Sequence, residues 1–365
     1  MHDRNVVSVA PLTEPTQREE AVLWLQRALR DNARNLGLLV CLLVCIAFVS
    51  ARSPTYLSYD NLLVVSLQMA FVGIAALGMT ALIISGYVDL SIGSMFGVCA
   101  ALATMTSKHA NPVVAIAVGV GVGAAIGLIN GALVWRINIS PIIITLGGLT
   151  LLHGVQLLLT NGYAITGVPT SYGTFGQARP LGVPMPVVVL AAFSPLAYVI
   201  LQRTTIGRHI FAIGGNSEAA GAAGLRVRRI VLVSFAVNGA LVGIAAVLAS
   251  SRYGGADPSF GTSMELDVIT AVILGGVAFN GGEGGIGGVL LAVALLGVIN
   301  SGLIALGVDP YYADVVKGGV LIVAVAIDQF SHEQRARYQR YLAMRERRAD
   351  NAPATTPSEV TSAEL

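Results

Sequence analysis

The sequence predicts an all-α integral membrane protein of about ten transmembrane helices, within a range of eight to ten. Both termini are expected in the cytoplasm, with an inverted repeat of two four-helix halves. Three observations carry this prediction. Of 365 residues, 55% are hydrophobic and 12% charged, against roughly 25% charged in ordinary soluble domains. Mean hydropathy is +0.74, and the charge-free runs recur near the roughly 20 residues needed to cross the hydrocarbon layer. Apolar surface on that scale exceeds what one water-exposed core of this size can hide. Lys and Arg also gather on alternate connections, as the positive-inside rule requires.

Residues 1–35 carry Arg18, Arg27, Arg30 and Arg34, with Val22, Trp24, Leu25 and Leu29 spaced for an amphipathic helix on the cytoplasmic interface. The run 36–51 follows a polar leader with no close small-x-small cleavage site, so it reads as a first span and not as a signal-peptide core. Further spans are expected at 62–84, 90–107, 112–134, 140–160, 184–202, 229–250, 265–281, 284–306 and 312–329. Glycines and acids interrupt 85–93 and 275–288, which marks broken or re-entrant helices. A basic, then disordered, cytoplasmic tail is expected over 330–365, and 36–329 forms one polytopic transmembrane domain.

With the N-terminus inside, the inner connections hold Arg136, Arg203, Arg208, Arg226, Arg228, Arg229 and the Arg335–Arg348 cluster. The outer ones hold Arg52, Lys108, Arg179 and Arg252. Spans two to five then start outside and spans seven to ten start inside, which gives an inverted repeat with a pathway at its interface. That pairing rests on topology and on the interrupted segments 85–93 and 275–288; the alternative is chance recurrence in a chain with 42 glycines. Gly119, Gly123 and Gly127 stand at GxxxG spacing, which lets helices approach closely in lipid.

Several function classes are excluded by what the chain lacks. A net charge of +2 without a basic, aromatic-interleaved stripe argues against nucleic-acid binding. Cys41, Cys45 and Cys99 lie in apolar runs and form neither a disulfide framework nor a metal set. No GxxxxGK[ST] loop, HExxH or nucleophile elbow occurs, and GGEGGIGG at 281–288 lacks the phosphate-binding Lys. No catalytic residue or metal site is therefore expected, and any chemistry must come from a partner.

The largest inner connection, 203–229, contains a short capped helix. Asn216 and Ser217 are N-cap residues, Glu218 suits the helix dipole, Ala219 and Ala220 propagate the helix and Gly224 stops it. These residues alone leave a docking helix and a plain connector as alternatives.

The loop GRHIFAIGGNSEAAGAAGL, with SGYVDLSIGS at 85–94, ELDVITAVILGG at 265–276 and TLGGLTLLHGVQLLLTNG at 145–162, resembles the membrane permease of ribose- and xylose-type ABC sugar importers. The likeness runs from about Leu36 to Asp328. It implies a permease subunit of a bacterial inner membrane, set in lipid as a homodimer. Such a subunit takes a monosaccharide or polyol from a periplasmic binding protein and is driven by a separate cytoplasmic ATPase that holds ATP and Mg. On this resemblance Gly214, Gly215, Asn216, Glu218, Ala219 and Ala220 match the family's coupling-helix pattern. The family usually places small residues before the Asp of its GIDLS-like motif, whereas Tyr87 and Val88 precede Asp89 here.

Asp89 follows 28 uncharged residues and either caps the next helix with Ser91 or lines the pathway. Glu265 and Asp267 open span eight and either serve its dipole or face the pathway. Asn130, Asn138, His153, Gln156 and Asn300 are polar residues in apolar spans, suited to interhelical hydrogen bonds, and Asn300 ranks first among them as a pathway candidate. Lys317 and Asp314, at i and i+3, are expected to pair at the outer interface. An ion-coupled secondary transporter is the competing class, but nearly all acids sit at span ends. A membrane-embedded enzyme lacks a convergent catalytic group.

Overall fold

The computed structural model describes residues 33–137, 139–309, 312, 314–323, 325 and 326. The interfacial helix expected before residue 33, Asn138, parts of the tenth expected span and the tail from 330 lie outside those residues. The regular structure of the described residues is helical, joined by turns and irregular loops, and their sole β contact is an isolated bridge between Ile165 and Ala256.

In chain order the helices are α1 (Ala33–Arg52), α2 (Tyr59–Ile84), α3 (Ile92–Ser107), α4 (Pro112–Ile137), α5 (Pro141–Thr160), α6 (Thr170–Gln177), α7 (Met185–Arg203), α8 (Thr205–Gly215), α9 (Ser217–Ala222), α10 (Val227–Tyr253), α11 (Met264–Leu274) and α12 (Ile286–Ala305). Residues 314–323 are helical again where described. Local chemistry sets the ends. Ser58 caps α2, Pro112 and Pro141 open α4 and α5, and Asn161 and Gly254 close α5 and α10 in the left-handed region.

Among the described residues seven helices are long and apolar enough to span a bilayer: α1 from Arg34, α2, α4, α5, α7, α10 and α12. The third expected span is shorter, the 16-residue α3. The eighth, expected over 265–281, is the 11-residue α11, which ends at Leu274. The glycines that follow stop it too early to cross hydrocarbon alone, at 1.5 Å of rise per residue.

α2 and α10 are the most buried of the long helices and cross each other at the centre. α10 also packs along α3 and α4, while α2 packs along α11 and α12. The α4–α10 contact is backbone against backbone. A methyl group on Gly123 would meet the Gly239 carbonyl oxygen, and one on Gly127 would meet that of Phe235, so the expected GxxxG stripe does serve packing.

Two pieces of sequence recur across this arrangement. Val72-Gly73-Ile74-Ala75-Ala76 in α2 reappears as Val242-Gly243-Ile244-Ala245-Ala246 in α10. The pattern G-x-x-D-x-S-x-G follows each of those helices, as Gly86 to Gly93 and as Gly254 to Gly261. Gly86 and Gly254 both hold positive φ, 85° and 74°. In sequence the segment that repeats the pattern of 86–93 is 254–261, whereas 275–288 has no D-x-S element.

Candidate functional site

The two D-x-S turns have the same local geometry. Ser91 donates its backbone N–H to Asp89 Oδ1 at 2.9 Å and its hydroxyl to the same oxygen at 2.6 Å. Ser259 does so to Asp257 Oδ1 at 2.8 and 2.6 Å. Those two bonds hold the Asp257 carboxyl below the usual carboxylate range. The turns meet back to back, since a methyl on Gly261 would overlap the Gly93 carbonyl oxygen. Their surroundings differ. Asp257 is partly exposed, whereas Asp89 and Ser91 are fully buried.

Asn130 of α4 closes the buried turn, donating to Ser91 Oγ at 2.8 Å and lying 3.4 Å from both Asp89 oxygens. Asn238 of α10, also fully buried, faces the same carboxylate without completing a hydrogen bond. Asp89 is therefore not the N-cap residue itself, and its carboxyl is fully buried. Ser91 occupies the cap position of α3, and Asp89 fixes it from two residues upstream.

The connection between α7 and α10 folds into two helices, α8 and α9. Thr204 caps α8 by accepting from the Gly207 N–H, and Asn216 Oδ1 caps α9 by accepting from the Ala219 N–H at 2.9 Å. The expected cap at Asn216 and stop near Gly224 are therefore observed, with Gly224 in the left-handed region. Ala220 is tucked inward, while Glu218 and Ala219 are exposed. A recess of about 740 Å³ runs beside α9 and is lined by Tyr87, Trp135, Glu218, Gly221 and Arg228.

Gly214 and Gly215 sit where three segments converge. The Gly282 N–H donates to the Ile84 carbonyl at 2.8 Å, joining the break after α2 to the break after α11. Gly214 lies against both partners of that bond, with no room for a Cβ. Gly281 packs on Gly86 and Gly282 on Gly215. The segments 85–93 and 275–288 are in contact here, and the end of α8 lies between them.

A separate cavity of about 280 Å³ opens at the opposite end of the bundle, between α2, α3, α10, α11 and α12. Asp267 and Asn300, named from sequence, both line it; Glu265 and Asp89 do not. Asn300 Nδ2 donates to Gln68 Oε1 at 3.3 Å. Lys317 Nζ lies 3.1 Å from Asp267 Oδ2 and 3.8 Å from Asp314. The expected Lys317–Asp314 pair is thus secondary to one with Asp267, a partner from a different helix that sequence spacing cannot reveal. Phe71, Phe96, Tyr253 and Phe260 supply the apolar wall, with Phe260 edge-on to Tyr253 at 5.9 Å. Gln156 braces that wall by donating to the carbonyls of Pro258 and Phe260 at 2.9 and 3.1 Å. Among the described residues no cluster of His, Cys, Asp and Glu is arranged to hold a metal.

The family model described as branched-chain amino acid transport system / permease component matches residues 61–325. The ribose import permease protein RbsC of Escherichia coli (strain K12) is 38% identical over 295 residues, 80% of this chain and 92% of its own. Its namesake from Bacillus subtilis (strain 168) is 37% identical over 320 residues, 87% and 98% of the two chains. The galactose/methyl galactoside import permease protein MglC of Salmonella typhimurium is 34% identical over 322 residues, 82% and 95%. No solved structure matches. Seven candidate spans among the described residues, a family model that matches most of the chain and relatives aligned over nearly their full length show that the chain is a multi-pass membrane protein and belongs to the branched-chain amino acid transport system / permease component family.

Proposed function

We propose that this chain is the membrane permease of an ATP-binding-cassette importer for a monosaccharide or related polyol. The observation that carries the reading is near full-length identity of 34–38% to import permeases for ribose and galactose. Those relatives match along almost their whole length, so they weigh more than the amino-acid wording of the family description. An ATPase subunit, with its ATP and Mg, would dock at α8–α9, and an extracytoplasmic binding protein would deliver solute to the opposite end. The basic residues Arg34, Arg136, Arg203 and Arg226 flank helix ends on the α8–α9 side, which supports a cytoplasmic placement for that end.

The inverted repeat belongs to the same reading. Its support is the shared pentapeptide, the paired D-x-S turns and the interchange of packing partners between α2 and α10. On this repeat α11 and the helical residues after 314 correspond to α3 and α5, and the chain crosses ten times. A homodimer would seat two such chains side by side.

The deciding experiment is uptake into proteoliposomes holding the chain alone, or the chain with its ATPase and binding protein. ATP-dependent monosaccharide uptake by the full set, and none by the chain alone, is the expected result. Uptake by the chain alone, driven by an ion gradient, would replace this reading with a secondary transporter.

A further inference from the structure

We infer that Gln68, Asn300, Asp267 and Lys317 form the polar wall that recognises the solute in transit, which makes them the specificity-determining residues of the path. The inference rests on the permease reading above and adds the residues that read the cargo.

The argument starts from the size and chemistry of the cavity. At about 280 Å³ it lies just below the roughly 300–1,000 Å³ usual for small-molecule sites, so it suits one sugar ring and not two. Polar groups stand on one side and aromatic faces on the other. Phe96 and Phe260, with ring centroids 6.2 Å apart, offer flat apolar surface to the C–H faces of a ring. Gln68 and Asn300 face each other at 3.3 Å, and each retains amide donors and acceptors beyond that long bond. Such groups exchange a weak mutual contact for paired bonds to vicinal hydroxyls.

The charges decide against an ionic cargo. Asp267 and Lys317 are 3.1 Å apart, and both are mostly buried, with 23% and 21% of their side chains exposed. Paired, they cancel each other's field while leaving oxygens and ammonium protons that a hydroxyl can bridge. An anion or a zwitterion would have to break that pair, leaving one charge uncompensated in a low-dielectric site. A neutral polyhydroxylated solute inserts without doing so. The four side chains come from α2, α11, α12 and the helical residues after 314, so the wall spans both halves of the bundle.

The test uses the full importer in proteoliposomes and reads two quantities together: monosaccharide uptake, and ATP hydrolysis stimulated by the loaded binding protein. Asn300→Leu and Gln68→Leu remove the amides at similar volume. Thr262→Trp, on the exposed part of the loop that borders the cavity, fills it without altering a buried contact. Each is expected to lower sugar carried per ATP hydrolysed by about tenfold, with hydrolysis still stimulated. Asp267→Asn is expected to let a carboxylated sugar derivative through, because it leaves Lys317 with only the exposed Asp314, 3.8 Å away, as a counter-charge. Uptake per ATP equal to wild type in all four variants overturns the inference, whether total flux is unchanged or falls in step with hydrolysis. Absence of ATP-dependent uptake by the wild-type complex would instead defeat the permease reading itself, so the two failures are distinguishable.

Discussion

Asp89 and Asp257 make nearly the same two bonds to a serine two residues on, yet the consequences of losing them differ with burial. Removing the Asp89 carboxylate strands the Ser91 N–H and the Ser91 hydroxyl proton in a dry interior, while Asn130 keeps its bond to Ser91 Oγ. Each buried orphan costs about 1–3 kcal/mol. Asp89→Ala is therefore expected to lower the thermal melting temperature in detergent well below that of Asp257→Ala, where water replaces the lost acceptor. Equal melting temperatures for the two variants would remove the sealed-turn account of Asp89. Gly214 is a second residue whose identity is fixed by contact. A Cβ there falls on the Ile84 carbonyl oxygen and against the Gly282 N–H, so Gly214→Ala must part the bond that joins the two breaks. Its expected cost is about 1–3 kcal/mol of overpacking, read by the same melting assay. Gly215→Ala, with open space at its Cβ, is the matched control and is expected to melt like wild type.

At the scale of elements, α4 and α10 are held by glycine faces, and the prediction turns on which glycines face the partner. Gly123→Ala should clash with the Gly239 carbonyl and destabilise the bundle by about 1–3 kcal/mol. Gly121→Ala, with nothing near its Cβ, should be neutral or gain up to about 1 kcal/mol of helix propensity. A reversed order in chemical-denaturation midpoints would mean that α4 packs through another face. This stripe was legible in the sequence because spacing alone defines it. So were the long spans and the capped α9, whose signals are hydropathy and local capping chemistry. Partnerships across elements were not. Asp314 stands one helical turn from Lys317 and suggests itself, but α11 brings Asp267 closer, and no periodicity encodes that approach. The aromatic wall was missed for the same reason: Phe71, Phe96, Tyr253 and Phe260 lie on three helices and a loop, and each alone reads as ordinary core. The sequence support for the proposed repeat is the D-x-S-x-G pair after a shared pentapeptide, a signal weaker than the glycine density that marks 275–288.

For the whole molecule, the arrangement around Gly214 links one surface to two interior breaks. α9 is exposed along Glu218 and Ala219, and its cap residue Asn216 directly follows Gly215. A force applied to α9 therefore reaches the end of α8, which rests on Ile84 and Gly86 from one half and on Gly281 and Gly282 from the other. Interiors packed at this density transmit displacement instead of absorbing it. A partner that pulls α9 would shift both breaks together, and an alternating path needs such concerted motion. Glu218→Arg tests this link without touching the interior. Glu218 makes no buried contact, and reversing its charge at the first turn of α9 alters the docking face while weakening the favourable helix-dipole interaction by about 0.3–1 kcal/mol at most. The variant is expected to insert and melt close to wild type, while binding-protein-stimulated ATP hydrolysis and sugar uptake both fall to background. Asn216→Ala acts through the cap that gives α9 its shape. Losing that cap costs about 0.5–2 kcal/mol, enough to fray a helix of six residues but not the bundle around it. It is expected to reduce uptake severalfold and leave the melting temperature nearly unchanged. If Glu218→Arg transports normally, force enters elsewhere, and the contact of Gly214 with the two breaks is packing alone.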